Sequence, residues 1–508
     1  MRARGPIPLL LLSALGGCDN DSGPTLRSMA GLVVASGHSP FAAGCNGVPQ
    51  QGVLFADSVA EPYLAADPRD ARHLIGVWQQ DRWSNGGANG LGSAVSFDGG
   101  QTWSRSFAHF TRCSGGTLAN GGGYERASDP WVAFAPDGTA HQVALAFNRA
   151  DPRVAILASR SQDGGRTWSE PVTLASDNST DFVLDKESIT ADPQSAQYVY
   201  AVWDRLTGQS NPNSPLNTGP AWFARSIDGG ASWEAARAIY DPGADAQTIS
   251  NQIVVLPDGT VLDFFTLVTS MSSSSPQLSI ALIRSTDRGA TWSSATIVAS
   301  EQFVGTVDPK TGKAVRTGQA VFAVAADGAT LWVAWEDGRF SGNVRDGIAL
   351  SRSADGGRTW SSPVQVNRAP GVQAFTPQLA VIPGGALGVS YYDFRDDDPR
   401  DGSRLLSSCW LATSTDGGAT WQEAALGGPF DLRQAPLTNQ GLFLGDYQGL
   451  ARAGGSLVPF FVVTTGNAAN PTEVVARPLG APAVAGRAPP LLDDGLRAPR
   501  PTARLVRP

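Results

Sequence analysis

One octapeptide pattern returns six times along the chain and constrains the fold more than any other feature. It reads Ser96-Phe97-Asp98-Gly99-Gly100-Gln101-Thr102-Trp103 and then Ser161-Gln162-Asp163-Gly164-Gly165-Arg166-Thr167-Trp168. Further copies occupy 226–233 (with Ser232 in place of Thr), 285–292, 353–360 and 414–421, so the shared aspartates are Asp98, Asp163, Asp228, Asp287, Asp355 and Asp416. A period of roughly 60 to 68 residues marks the repetition of one supersecondary unit. An alternating apolar stretch such as 155–160 precedes each copy, and a second strand follows the Trp. Asp-Gly-Gly between two strands is a hairpin signal, because glycine supplies the positive φ of a tight turn. The aspartate can accept backbone N–H bonds inside the turn, the Ser and Thr hydroxyls can close it, and the Trp can bury a wide face against a neighbouring sheet. The six aspartates are therefore read as structural staples, not as catalysts.

Around each copy there is room for four strands. In the fifth repeat these are 319–326, 331–335, 347–353 and 359–366. A four-stranded sheet repeated radially is a propeller blade. Beyond the sixth copy, 445–452, 456–464 and 473–477 supply three more strands, and an N-terminal strand at 30–35 or 53–57 would close the ring. That arithmetic favours seven blades; a last unit shared with the first repeat would give six. The pattern S-x-D-x-G-x-T-W is the Asp-box, or BNR, repeat, and over about residues 55 to 480 the chain resembles the sialidase superfamily of β-propellers. The resemblance implies an all-β propeller with the Asp-boxes on one face and an active site on the other.

The loops of that other face join second strands to third and fourth strands to the next unit. The second strands end in an aromatic residue followed by a carboxylate or amide and an Arg: Asp81 and Arg82 after Trp78, Asn148 and Arg149 after Phe147, and Asp204 and Arg205 after Trp203. Later copies give Asp337 and Arg339 after Trp335, and Asp393 and Arg395 after Tyr391. Two readings stand: Asp–Arg pairs bracing adjacent loops, or a ring of carboxylates and Arg forks around a central pocket for an anionic sugar. First strands add Glu61, Arg126, Asp129, residues 185–187, Asn251, Gln252, Arg316, Asp446 and Tyr447. The resemblance implies an Arg triad for the substrate carboxylate, a Tyr nucleophile paired with a Glu, and an Asp acid/base. Tyr447 stands where the family's final Tyr falls, with Glu187 or Asp129 as its base and Arg126 and Arg316 as carboxylate binders. The chain departs from the pattern at Glu61, where an Arg is expected, in the acid-free stretch 84–89, and at Gln252, which replaces a Glu. The leading expectation is an exo-type glycoside hydrolase of sialidase type, acting on cell-surface or extracellular glycans. The alternatives are a non-catalytic glycan- or protein-binding propeller and a polysaccharide lyase.

Composition narrows the partners. A net charge of −8 over 508 residues argues against nucleic acid. Four His without HExxH spacing exclude a zincin-type metal site, and no cofactor is implied. The run from Asp393 through Asp396 to Asp401 could offer oxygens to Ca²⁺, but it matches no EF-hand loop and carries Arg of its own, so a solvated acidic loop is the better reading. Arg2 and Arg4 precede an apolar stretch at 6–15 that is too short to span a membrane. Leu15-Gly16-Gly17-Cys18 resembles a bacterial lipobox, which implies lipidation at Cys18 and membrane contact through that anchor alone; an ordinary secretory signal is the alternative. The expected organisation is a signal at 1–18, a linker and extension at 19–50, a single propeller at 51–480, and a Pro/Ala/Arg-rich tail at 481–508. A monomer at the cell surface or in the periplasm is expected, and a secreted protein if the Cys is not lipidated. Among the remaining cysteines, Cys45 and Cys113 are the pair placed to bridge, and Cys409 reads as a buried thiol.

Overall fold

The computed structural model describes residues 31–207, 219–273, 275–317, 321–439 and 441–480. Across them the regular structure is β apart from three short 3-10 turns. Six units of four antiparallel strands follow one another, each with an Asp-box in the turn between its third and fourth strands. Units three to six form separate four-stranded sheets. Units one and two merge into one eight-stranded sheet through a single residue pair, Ala88 and Ala127. A last sheet holds Gly449–Ala453, Ser456–Asn467 and Asn470–Ala476, and its fourth strand is N-terminal: Val33 and Val34 pair antiparallel with Ala476 and Val475. The first strands of the units are Leu54–Asp67, Arg126–Phe134, Phe182–Ala191, Ala246–Val255, Phe322–Asp327 and Ala374–Ile382, with Gly449–Ala453 in the last sheet. Each touches the first strand of the next unit, and Gly449–Ala453 touches Leu54–Asp67. Four-stranded sheets arranged in this way are of β-propeller type.

Each box closes as its chemistry requires. Asp98 Oδ1 accepts the Ser96 hydroxyl at 2.8 Å and the Gln101 and Thr102 N–H groups at 2.9 Å, while Oδ2 accepts the Thr102 hydroxyl at 2.6 Å. Ser96 Oγ in turn accepts Gly100 N–H. Hydroxyl and backbone donors to the charged form favour it. In the third box the Ser232 hydroxyl and N–H pull the Asp228 pKa down to about 2.

The Trp of each box packs on the preceding unit. Trp292 meets Phe223, with ring centroids 5.5 Å apart, and Trp360 meets Phe264 at 6.0 Å. Trp103 of the first box meets Phe460 of the last sheet at 5.5 Å. The staple thus joins neighbours as well as closing its own turn.

Several boundaries differ from the sequence reading, and the strand expected at 445–452 begins only at Gly449. The fourth strand of unit five is Val364–Gln365 instead of 359–366, because Thr359 and Trp360 are held back in the box by bonds to Asp355 and Gly357 O. The stretch expected as linker and extension at 19–50 is, from Val33 onward, part of the fold: Ser36 donates to Glu473, and Asn46 bonds Asn89 and Glu125 O. Cys45 is disulfide-bonded to Cys113, and Cys409 is a buried free thiol. Cys18 and the tail at 481–508 lie outside the described residues.

Candidate functional site

Five of the first strands are broken by the same irregularity. Pairing slips between Ala60 and Tyr63, Ser128 and Trp131, Asp185 and Ser188, Ile249 and Gln252, and Phe375 and Gln378. Inside each slip sits a non-glycine residue with positive φ: Glu61 (52°), Asp129 (51°), Lys186 (51°), Ser250 (64°) and Thr376 (52°). Such a conformation costs about 1–3 kcal/mol per residue and concentrates at functional sites, and a bulge re-aims a side chain out of the ladder. The repeat therefore presents one strained position per unit, where successive first strands meet.

Three of these five residues converge with one from the last unit. Lys186 Nζ lies 2.5 Å from Asp446 Oδ2, 3.2 Å from Asp129 Oδ1 and 3.9 Å from Glu61 Oε1. All four line a cavity of about 370 Å³ whose walls include Phe147, Phe182 and Arg149. One ammonium faces three carboxyl groups, and the protonation states divide accordingly. Burial, and then the Asp129 charge, push the Glu61 pKa up to about 8 against the pull of Lys186, and Gln79 Nε2 donates to Glu61 Oε2. Burial alone would lower Lys186, but Asp129, Asp446 and Glu61 outweigh it and hold the ammonium charged. Arg82 joins from the side, donating to Gln79 Oε1 at 2.6 Å and stacking 4.4 Å over the Phe443 ring.

Tyr447 does not have a nucleophile's geometry. Its hydroxyl donates to Pro130 O at 3.1 Å instead of to either carboxylate expected as its base, and its ring packs against Trp131 and Tyr63. Burial, with Glu61, Asp129, Glu187 and Asp446 around it, raises the phenol well above its ordinary value, the opposite of activation. Glu187 is buried in a water-sized cavity shared with Tyr447, and neither of its oxygens has a hydrogen-bond partner among the described residues. Burial, and then the Asp129 charge, raises its carboxyl well above the ordinary value.

Arg126 is likewise a strut. Its guanidinium donates to Gln50 Oε1, Asn85 Oδ1, Gly86 O and Gln51 O at 2.7–2.8 Å and lies 4.3 Å over the Trp83 ring, which leaves no fork for a substrate carboxylate. The side chain of Arg316 lies outside what the structure describes.

The recurring carboxylate–Arg pairs are braces. Asp81 accepts Ser39 Oγ, Asp57 N–H and Asn89 Nδ2. Asp204 takes Thr248 Oγ1, Ser250 N–H and Asn251 Nδ2 from the next unit, while Arg205 bonds Asp177 and lies 3.4 Å over the Phe182 ring. Arg339 grips Asp337 through two bonds at 2.7 and 2.8 Å. Arg395 bridges Asp393 at 2.5 Å and Glu423 at 2.8 Å while stacking on Trp410. Of the recurring second-strand motif, Arg82, Asn148 and Arg149 line the cavity, and the pairs of the later units do not. The acidic run is paired internally: Asp396 accepts Ser408 Oγ, Asp397 bonds Lys310, Asp398 bonds Arg400 and Asp401 bonds Arg404. No group of three or more His, Cys, Asp or Glu suited to a metal occurs among the described residues.

Sequence reasoning reached Asp129 but gave Lys186 no role and treated Glu61 as a defect. A usable signal was present. Glu61-Pro62, Asp129-Pro130 and Thr376-Pro377 repeat an Xaa-Pro step inside first strands, and a proline within a strand marks a bulge or an edge.

The family described as BNR repeat-like domain matches residues 221–439, and the BNR/Asp-box repeat matches 94–105. No curated protein matches the sequence. Among solved structures, the Hadza microbial sialidase Hz136 is similar at 17% identity, over 80% of this chain and 73% of that one, with a TM-score of 0.46. A Penicillium chrysogenum α-L-arabinanase complexed with arabinobiose is similar at 13% identity, over 88% and 98%, with a TM-score of 0.45. A PL25 ulvan lyase is similar at 10% identity, over 72% and 79%, with a TM-score of 0.41. The chain thus carries BNR/Asp-box repeats, closed at six turns with one hydrogen-bond pattern, and is similar over 221–439 to the BNR repeat-like domain.

Proposed function

We propose that the cavity around Lys186 is the active site of a glycoside hydrolase that works through paired carboxyl groups, on a propeller whose seven four-stranded units are its blades. One observation carries this reading: a carboxyl group held protonated near pH 7 shares a cavity with carboxylates tied to an ammonium. Pushing two neighbouring carboxyl pKa values apart is how a site obtains both an acid and a base. Glu61 is the proton donor to the departing glycosidic oxygen, and Asp129 is the carboxylate that stabilises or attacks the developing oxocarbenium ion. Lys186 fixes Asp129 and Asp446 and offsets their mutual repulsion. Phe147 and Phe182 supply apolar walls for sugar faces, and Arg149 offers a cation at the mouth for an acidic substituent.

This assignment replaces the sialidase arrangement of Tyr nucleophile and Arg triad, for which Tyr447 and Arg126 are already engaged elsewhere. A lyase would need a Tyr or His base beside the sugar ring. Burial raises Tyr447 well above its ordinary value, and among the described residues no His lines the cavity. Export with lipidation at Cys18 completes the reading; a disulfide at Cys45–Cys113 suits an oxidising compartment.

The test is a screen of purified protein on sialosides, arabinans and other neutral glycosides, and uronate polymers. Both reducing-end release and ultraviolet-absorbing unsaturated products are scored, for wild type and Glu61→Gln. Release by wild type that Glu61→Gln abolishes is the expected result. Unsaturated products would identify a lyase, and binding without release would leave a binding propeller.

A further inference from the structure

A second cavity, of about 410 Å³, lies apart from the axial one, between the loop that follows the second strand of unit five and the segment joining units five and six. Both segments belong to the loop face that also carries the axial cavity. Its lining includes Phe340, Arg345, Asp346, Gln365, Asn367 and Arg368. These groups are unevenly satisfied. Asn367 is 4% exposed; its Oδ1 accepts Ile348 N–H at 2.8 Å and Gln365 Nε2 at 3.3 Å, while its Nδ2 donates to none of the described residues. The Arg345 main-chain N–H is held by Ser341 Oγ, but its guanidinium has no acceptor among the described residues. Arg368 uses one N–H on Trp421 O. The cavity's one carboxylate, Asp346, is already occupied by Val304 and Gly305 N–H groups. What remains for a ligand is a donor-rich wall: one amide N–H₂, one whole guanidinium and part of another, beside an aromatic ring.

An amide N–H₂ without a protein acceptor on a cavity wall is free to bond an acceptor-bearing occupant. Guanidinium forks match carboxylate and sulfate oxygens bidentately. The volume falls in the range of small-ligand pockets. We propose that this cavity is an accessory site for an acidic sugar unit, bearing a carboxylate or a sulfate ester, in a polysaccharide that lies across the loop face. The proposal rests on the glycan reading of the axial cavity, and it adds a second contact that raises affinity for long chains without taking part in bond cleavage.

The net charge of −8 works in favour of a clean test, since the chain as a whole repels polyanions and retention by one requires a local site. Native affinity electrophoresis would be run in gels containing sodium polygalacturonate, dextran sulfate or unmodified dextran. The samples are wild type, Arg345→Ala and Asn367→Asp, each with its melting temperature measured. Asn367→Asp keeps the acceptor for Ile348 N–H and removes the donor, and Arg368→Ala stands in if it fails to fold. Wild type is expected to be retarded by one of the polyanions and not by dextran, the gel that retards it distinguishing uronate from sulfate. Arg345→Ala and Asn367→Asp should weaken retention about tenfold, the loss of one charge-assisted contact. Equal retention by dextran, no retention by either polyanion, or unchanged retention of Arg345→Ala would each overturn the proposal. Because the readout is binding, it stands even if the axial cavity turns over no substrate.

Discussion

The two faces of the molecule treat the same residue type in opposite ways. On the Asp-box face a carboxylate sits near the surface, surrounded by hydroxyl and N–H donors from its own turn, and its proton affinity falls: the Asp228 pKa drops to about 2. At the loop-face end of the first strands a carboxyl group is buried beside other carboxyl groups, and Glu61 rises to about 8. Donors to the charged form win in the first case, and desolvation with like-charge repulsion wins in the second. The first arrangement is local and repeated six times. The second is assembled once from four units, with Lys186 and Asp446 lying 260 residues apart. One face holds carboxylates ionised to close turns, and the other holds a buried carboxyl group whose proton is bound more tightly than usual.

The sharpest way to break this comparison is to neutralise one carboxyl group on each face. Glu61→Gln should lower turnover by about 10²- to 10⁴-fold, the usual contribution of a general acid, with the melting temperature unchanged or raised, because a buried ionisable group has been removed. Asp98→Asn should do the reverse, lowering the melting temperature and leaving kcat alone. Matching profiles for the two variants in paired kinetic and calorimetric measurements would erase the distinction.

Next in size are the groups that hold each face together. Trp360→Ala should destabilise by about 3 kcal/mol, since it removes a large aromatic that spans two units. Lys186→Met should cost about 3–5 kcal/mol by leaving Asp129, Asp446 and Glu61 without their cation. Urea unfolding of both variants would measure these losses. A Lys186→Met protein as stable as wild type would mean that the carboxyl groups do not depend on the ammonium.

The contrast also explains what could be read from the sequence. The box is legible because Asp98 bonds partners two to four residues away, so its chemistry is written in one octapeptide. The sheets are legible for the same reason, through turn signals and alternation. Even the closing strand was approachable, because Val33–Val34 is an apolar step that the last three strands leave unpaired without it. The axial cluster is not legible in this way. Lys186 stands between two acidic residues in sequence, and nothing local says that its partners are Asp129 and Asp446 from other units. The repeated Asp–Arg motif drew attention because it recurs, yet recurrence reflects bracing that every unit needs. The bulged position differs from unit to unit: Glu61, Asp129, Lys186, Ser250 and Thr376 share a backbone conformation and no side-chain type.

The pH dependence of stability should show both faces in one curve. Asp228, whose folded pKa is depressed, contributes stability that is present above its ordinary value of 3.8 and is lost as pH falls through about 2. Glu61 and Glu301 are raised to about 8 from 4.5, so their protons are held by the folded chain and released by the unfolded one between those values. Their contribution is complete below about 4.5 and declines until it is gone above pH 8. The melting temperature should therefore fall at both extremes, and the alkaline fall should be shallower in Glu61→Gln. An alkaline limb identical in the two proteins would remove Glu61 from the titration. Turnover should fall above about pH 8 as the acid ionises.

The smallest effect tests the turn itself. In the fourth box Arg288 takes the place that glycine holds in the other five, and it adopts φ of 58° where Gly99 has 77° and Gly164 has 78°. A side chain in that region costs about 1–2 kcal/mol. Arg288 offsets part of this by placing its guanidinium 4.2 Å over the Tyr198 ring, a contact worth about 0.5–1 kcal/mol near the surface. Its carbonyl accepts Arg225 Nη1 at 2.7 Å, a bond that any residue at this position retains. Arg288→Ala keeps the strain and loses the ring contact, so it should destabilise by about 0.5–1 kcal/mol. Arg288→Gly loses the contact and the strain together while gaining freedom in the unfolded chain, and should come out near wild type. The expected ordering has Gly above Ala by about 1 kcal/mol, a melting difference of about 2 °C or less in a chain of this size. Equal stability of the two variants would show that the box tolerates a side chain at its left-handed position without cost, and the glycines of the other five copies would need another explanation.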